Sequence, residues 1–215
     1  MNTLLLDSSS NTAAYAYVIN GSIIFEKKLE GSRNADALMF EMKNDFQSRG
    51  IDLKEIDVVS LSNGPGSFTG LRIGSAIAKG ICYAADAKLI EIPTLDIIAN
   101  KHGEIPEFAS VIHSGMRTGE IYYAVYKKDT VLFRISDYSI GTMDTIMQYK
   151  EIVINENVDF GENFKDVSVV NVSNKSGMRS QLELTQEKIN ENRFSDIWTA
   201  GPFYMQEFKP AAKGE

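Results

Sequence analysis

Apolar and polar positions along the chain change period several times, and each change marks an element. Thr3 to Leu6 is a short apolar run closed by Asp7, which reads as a buried strand. Ser8-Ser9-Ser10-Asn11 is a polar turn, and Ala14 to Ile19 is a second strand. Asn20-Gly21 is a strong two-residue hairpin signal, and Ser22 to Lys28 returns from it. The chain therefore opens as a three-stranded antiparallel meander whose first turn is rich in hydroxyls. The apolar period then lengthens. Ala35, Leu38, Met39, Met42 and Phe46 fall at helical spacing, with Asn34 as a cap and Gly50 at the exit. Ile56 to Ser62 is a strand. It feeds the run Asn63-Gly64-Pro65-Gly66-Ser67-Phe68-Thr69-Gly70-Leu71-Arg72-Ile73-Gly74 and a helix over Gly70–Ala85. Lys88 to Ile92 is another strand, and Pro93-Thr94 starts a short helix to about Lys101.

The second half echoes the first. Ala109 to His113 is a strand, Glu120 to Lys127 a second and Val131 to Tyr138 its return. Thr142 can cap a helix to Tyr149, Ile152–Ile154 and Val167–Val172 read as strands, and Met178 to Glu191 as a final helix. Strand, strand, strand, helix, strand, helix thus occurs twice without a residue-level repeat. The pattern predicts an α/β fold of two lobes, each a mixed sheet with flanking helices, as in the actin-like (ribonuclease-H-type, ASKHA) architecture. The polar stretch Asn100–Glu107, with Gly103 and Pro106, places the boundary between a lobe over residues 1–103 and an abbreviated lobe over 104–215.

Gly64, Pro65, Gly66 and Ser67 specify a tight turn. Ser67 or Thr69 can cap the helix that follows, in which Gly70, Gly74 and Ala78 recur every fourth residue. A mid-helix glycine costs about 1 kcal/mol against alanine, so such a row implies the close approach of another backbone. Ile73, Ile77, Ile81 and Ala84 form a second row. Two rows can meet two neighbours, the helix's own sheet and something else. Packing within the chain and a partner face both remain open; the partner face would use Leu38, Met39, Met42, Gly70, Leu71, Gly74 and Ala78.

Composition narrows the chemistry. The 215 residues are 43% hydrophobic and 24% charged, as in a soluble globular protein. Lysine plus arginine number 22 against 29 acids, a net charge of −7, which makes the chain a poor nucleic-acid binder on its own. The single cysteine, Cys82, forms no internal disulfide and reads as a buried thiol. The amino terminus has no signal-peptide pattern and no stretch reaches a membrane span, so a cytoplasmic protein is expected. A Walker A lysine is missing, and Gly64, Gly66 and Gly70 miss the dinucleotide spacing by one residue. His102 and His113 make no metal-ligand cluster, and no nucleophile elbow exists. Asp7 with Ser8 and Ser9 suits the first phosphate loop of an actin-like ATPase, yet an Asx turn explains the same residues. In the second lobe, Ser114-Gly115-Met116 has a bulky residue where a partner phosphate loop would have glycine.

Leu5-Leu6-Asp7-Ser8-Ser9 and the Asn63–Gly74 run together resemble the TsaB family, also called YeaZ. Gly115-Met116-Arg117-Thr118-Gly119-Glu120-Ile121-Tyr122 resembles that family's Asp-Ala-Arg-x-x-Glu-Val-Tyr motif, with Gly115 in place of the acid, which puts any role of that acid in doubt. Pro202-Phe203-Tyr204-Met205 resembles its C-terminal Pro-x-Tyr-Leu. The match is good over residues 3–127 and thin beyond. The resemblance implies the actin-like fold and a non-catalytic subunit in the formation of N6-threonylcarbamoyladenosine, next to the anticodon of tRNAs that read codons starting with A. It implies pairing with the catalytic paralogue TsaD through helices 34–49 and 68–85, cooperation with the ATPase TsaE, and a homodimer when alone. The chain itself would hold no cofactor; ATP and metal would sit on partner subunits, and tRNA would be met only through the complex. TsaD holds its metal with a His-x-x-x-His motif, and Thr94 and Ile98 fall at those positions in this chain. The competing expectation is an actin-like ATPase or small-molecule kinase that uses Asp7.

Overall fold

The computed structural model describes residues 1–30, 34–103, 105–113, 120–155 and 167–205. Two mixed sheets form its two lobes. In the first, β1 (Asn2–Asp7), β2 (Thr12–Ile19), β3 (Ser22–Glu30), β4 (Val58–Gly64) and β5 (Lys88–Pro93) lie in the order β3-β2-β1-β4-β5. β1 pairs antiparallel with β2 and parallel with β4, and β4 is parallel to β5. Asn20 and Gly21 both take positive φ, 48° and 80°, as the hairpin signal requires. In the second, β6 (Ile105–His113), β7 (Glu120–Lys128), β8 (Leu132–Arg134), β10 (Glu151–Ile154) and β11 (Ser168–Asn171) lie in the order β11-β10-β6-β7-β8, and β9 (Ser139–Thr142) also pairs with β7. The antiparallel and parallel pairings follow the same plan as in the first lobe. The duplication predicted from element order is thus a duplication of topology.

Among the described residues, five α-helices cover the sheets: α1 (Asn34–Ser48), α2 (Phe68–Ala85), α3 (Thr94–Asn100), α4 (Met143–Ile146) and α5 (Gly177–Asn190). The central strands are apolar on both sides because both sides are covered; Leu4, Leu5 and Leu6 are all fully buried. α1 and α2 pack on one face through Leu38, Met42, Phe46, Ala78 and Ile81 against Leu4, Leu6, Tyr15 and Leu61. The other face is covered from the far half of the sequence: Met178 and Leu182 of α5 pack on Leu5, Ala16 and Val18. In return, Leu95, Ile98 and Ala99 of α3 pack on Phe108, Ala124, Tyr126 and Val153 of the second sheet. Each lobe therefore lends one helix to the other.

Several boundaries differ from the sequence pattern; β6 begins at Ile105 rather than Ala109, inside the polar stretch Asn100–Glu107 read as the boundary between lobes. The strand expected over Val131–Tyr138 is shortened to β8, and a further strand, β9, returns to β7 only from Ser139. The ladder breaks where Ser136 Oγ accepts from the Val125 amide at 2.9 Å and the Ile135 amide donates to the Val125 carbonyl at 2.9 Å. α4 stops at Ile146 rather than Tyr149, a single turn held by a reciprocal Thr142–Thr145 capping box.

Candidate functional site

The two stretches that the sequence offered separately, the hydroxyl turn after β1 and the glycine-rich run after β4, form one structure. The Ser67 amide donates to the Ser9 carbonyl at 2.6 Å, and Ser8 Oγ donates to the Gly70 carbonyl at 2.8 Å. Ser67 Oγ caps α2 by accepting from the Gly70 amide at 3.3 Å. A methyl group at Gly66 would meet the Ser9 carbonyl oxygen at 2.1 Å, one at Gly70 the Ser8 carbonyl oxygen at 2.0 Å, and one at Gly74 Ser8 Oγ at 2.2 Å. The neighbour that the small-residue row admits is therefore the chain's own Ser8-Ser9 backbone. Gly64, at φ 118°, faces the Phe203 carbonyl.

That geometry corrects the expected partner face. Leu38, Met42, Leu71 and Ala78 are buried in the chain's own core, and Gly70 and Gly74 are covered by Ser8. Their side chains stabilise the lobe and are not presented to a partner. Of the residues in that set, Met39 alone lies on the surface. The open sides of the same helices carry Phe40, 64% exposed, Tyr83, 73% exposed, and a second small row, Ala76, Gly80 and Ala84. A methyl group on Gly80 would meet nothing within 4 Å. Sequence spacing did not separate the two rows, although the four-residue period of Ala76, Gly80 and Ala84 is visible in it.

The C-terminal strap ties this region down. Ser195 bridges to Leu89 at the edge of β5, and the Phe203 amide donates to the Asn63 carbonyl at 2.7 Å. Arg72 Nε donates to the Tyr204 hydroxyl at 3.1 Å, the Arg72 guanidinium lies over the Phe68 ring, and Phe68 packs on Tyr204. Pro202–Met205 is thus the clasp of the Asn63–Gly74 motif. Cys82 is buried, and burial pushes its thiol up to about 12, so it is a packing residue.

Between the lobes lies a cleft of about 590 Å³. Asp7 and Ser9 line it, while Ser8 is turned into the α2 contact. Asp7 Oδ1 accepts from the Ser9 amide at 2.9 Å and Ser9 Oγ at 2.7 Å, the Asx turn. Thr94 and Ile98 of α3 also line the cleft. The Thr94 and Ser62 hydroxyls are hydrogen-bonded at 3.0 Å, and the Ile98 side chain packs in the second lobe's core. This pair does not fit a metal: one group is a bonded neutral hydroxyl and the other a hydrocarbon. Among the described residues, no group of three His, Cys, Asp or Glu could hold one. Gly115, Met116 and Arg117 lie outside the described residues, as does the side chain of His113. Among the described residues, no helix is long and apolar enough to cross a membrane.

The family model described as "TsaD: tRNA N6-adenosine threonylcarbamoyltransferase" matches residues 32–194, and the chain belongs to that family. Its curated relatives place it in the TsaB, or YeaZ, group. The tRNA threonylcarbamoyladenosine biosynthesis protein TsaB of Haemophilus influenzae is 24% identical over 154 residues, covering 71% of this chain and 62% of that protein. TsaB of Escherichia coli K12 is 28% identical over 133 residues, covering 60% of this chain and 56% of that protein. The matched stretch is thus less than two thirds of the length of either relative. YeaZ from Pseudomonas aeruginosa, a solved structure, superposes with a TM-score of 0.73 at 17% identity, covering 95% of this chain and 99% of that one. It shows the same two-lobed fold.

Proposed function

We propose that this chain is a non-catalytic subunit of the cytoplasmic assembly that forms N6-threonylcarbamoyladenosine beside the anticodon of tRNA, and that it pairs there with TsaD. The observation that carries the reading is α3. The TsaD family match runs through this helix, yet the positions of the His-x-x-x-His ligands hold Thr94, bonded to Ser62, and Ile98, buried in the core. A side chain set of that kind supports a chain that leaves metal and ATP chemistry to TsaD and TsaE. The net charge of −7 supports contact with tRNA through the complex rather than alone.

The partner face in this reading is the open side of α1 and α2, with Phe40 and Tyr83 as aromatic anchors beside the flat row Ala76, Gly80 and Ala84. Depletion of the protein is expected to lower threonylcarbamoyladenosine in total tRNA, read by nucleoside mass spectrometry; an unchanged level overturns the assignment. Gly80→Trp is expected to leave the melting temperature near wild type, since space is open around Gly80. It should weaken association with TsaD at least about tenfold, as a bulky residue at the centre of an interface does. Equal co-purification of both proteins would move the interface elsewhere, and self-association lost in the same variant would give the face to a second copy as well. The alternative, an ATPase or kinase using Asp7, requires ATP turnover by the purified chain that Asp7→Ala abolishes; none above background is expected.

A further inference from the structure

The open side of α2 carries an exposed row at every fourth residue: Arg72, Ala76, Gly80 and Ala84. Its charged member is held in a fixed pose. The Arg72 guanidinium carbon lies 3.8 Å above the centre of the Phe68 ring, one helical turn earlier. Arg72 Nε donates to the Tyr204 hydroxyl at 3.1 Å, and the Tyr204 ring packs on Phe68 with centroids 4.9 Å apart. The strap that brings Tyr204 is itself tied to Asn63 through the Phe203 amide. Arg49, Arg134 and Arg193 each reach a carboxylate, at Asp45, Asp137 and Glu191. Arg72 reaches none among the described residues, and neither of its Nη nitrogens finds an acceptor there.

Fixing a long side chain ordinarily costs rotamer entropy at the moment of contact. The ring beneath Arg72 and the hydroxyl at its Nε have met that cost in the free chain. What they leave open is the Nη edge, a planar pair of donors whose spacing matches the two oxygens of a carboxylate. The surroundings decide whose oxygens these are. The lysine of α2, Lys79, is turned away to the Ala200 carbonyl at 2.8 Å. The rest of the row is small and apolar, and the nearby exposed side chains are Phe40 and Tyr83. A lone cation at the end of an apolar face, on a chain of net charge −7, is unlike the basic track that follows phosphates. It is the composition of a protein interface, with an apolar centre and a charge at the rim.

We infer that Arg72 is a carboxylate receptor at the rim of the α1 and α2 docking face, and that TsaD presents an aspartate or glutamate side chain to it. The inference rests on the reading of that face given above and names what the partner must bring. Ala76, Gly80 and Ala84 make a flat track along which a partner can slide; a bidentate contact at Arg72 fixes its register. Phe68 and Tyr204 act as positioning residues that hold the fork outward.

Calorimetry of the full chain with purified TsaD, without RNA and at low and high salt, tests the inference. Arg72→Gln is expected to weaken association at least about tenfold at low salt, with a melting temperature near wild type because the group is exposed. Arg72→Glu should weaken it further, since it sets like charges face to face. Arg72→Lys should keep the salt dependence but regain only part of the affinity, because an ammonium lacks the planar fork. Tyr204→Phe removes the Nε contact and leaves the charge, so it should cost clearly less than Arg72→Gln. Wild-type affinity in Arg72→Gln, equal losses in Arg72→Gln and Arg72→Glu, or a loss in Tyr204→Phe as large as in Arg72→Gln each overturns the inference. A loss that appears only when tRNA is added overturns it in favour of an RNA phosphate. Weakening by Gly80→Trp with Arg72→Gln unchanged overturns this inference alone, whereas indifference of TsaD to both variants overturns the docking face with it.

Discussion

Alanine at position 70 is expected to destabilise the isolated chain by about 3 kcal/mol or more, although it adds one methyl group. The methyl carbon would sit 2.0 Å from the Ser8 carbonyl oxygen and 3.2 Å from its carbon. Both obstacles are backbone, so no rotamer change relieves them. The turn must retreat, and retreat breaks the hydrogen bonds that hold it, from Ser8 Oγ to the Gly70 carbonyl and from the Ser67 amide to the Ser9 carbonyl. Natural stabilities run to about 5–15 kcal/mol, so the loss is a large share of the total. Gly74→Ala should cost less, because the nearest atom is Ser8 Oγ, a side-chain atom that can rotate at the expense of its own bond. Gly80→Ala should stabilise by about 0.5–1 kcal/mol through helix propensity alone, since its methyl group meets nothing. Urea unfolding of the three variants checks the order: a lower midpoint at unchanged slope for Gly70→Ala, and a higher one for Gly80→Ala. A midpoint for Gly70→Ala equal to that of wild type would mean that the Ser8 backbone does not confine α2 at this position. The same contrast separates folding from docking, because bulk on the buried row damages the lobe before any partner is met and bulk on the open row does not.

Much of this architecture is legible in the sequence, for reasons that are local. Asn20-Gly21 names its hairpin because few residues accept two successive positive φ values. Ser67 names the start of α2 because its hydroxyl satisfies an amide that the helix leaves open. The repeated order of strands and helices implies both sheets. Long-range choices are what the pattern leaves open. Spacing shows that Gly70 and Gly74 admit something close, but the occupant, Ser8, is 62 residues from Gly70 in sequence and reads there as an ordinary turn residue. The exchange of α3 and α5 between lobes is invisible for the same reason: an apolar helix face does not say which sheet it covers. Lys101 reads as a solvated lysine at a helix end, and only the second lobe, closing over it, makes it a buried cation. The return strand after β7 reads as continuous because Ile135 is apolar, while the break depends on Ser136 finding Val125.

The contact between lobes supplies the second large effect. Asp96, in the first turn of α3, accepts from the Tyr126 hydroxyl at 2.6 Å and from the Tyr138 hydroxyl at 2.9 Å. Tyr126 is fully buried, so Asp96→Ala strands at least one buried hydroxyl and is expected to cost about 2–4 kcal/mol. Asp96→Asn keeps an acceptor oxygen and should cost about 1 kcal/mol. The pair of variants also isolates a pH effect. Burial raises the Asp96 carboxyl, against the two tyrosine hydrogen bonds and the more distant charges of Arg134 and Lys188. An acid raised in the folded state binds its proton more readily there than in the unfolded chain. Its contribution to stability is therefore greatest at acid pH and declines as pH rises from the ordinary value of 3.8 through the folded value. Asp45 behaves in the opposite sense: the Tyr15 hydroxyl and Lys27 hold its carboxyl down, so its contribution is lost on acidification. Whole-protein stability mixes the two, whereas the difference between wild type and Asp96→Asn follows Asp96 alone. That difference, from urea unfolding at a series of pH values, should shift in favour of wild type as pH falls from neutral toward about 4. A difference that stays flat, or shifts toward the variant, would show that the Asp96 carboxyl is not raised and that the tyrosines outweigh its burial.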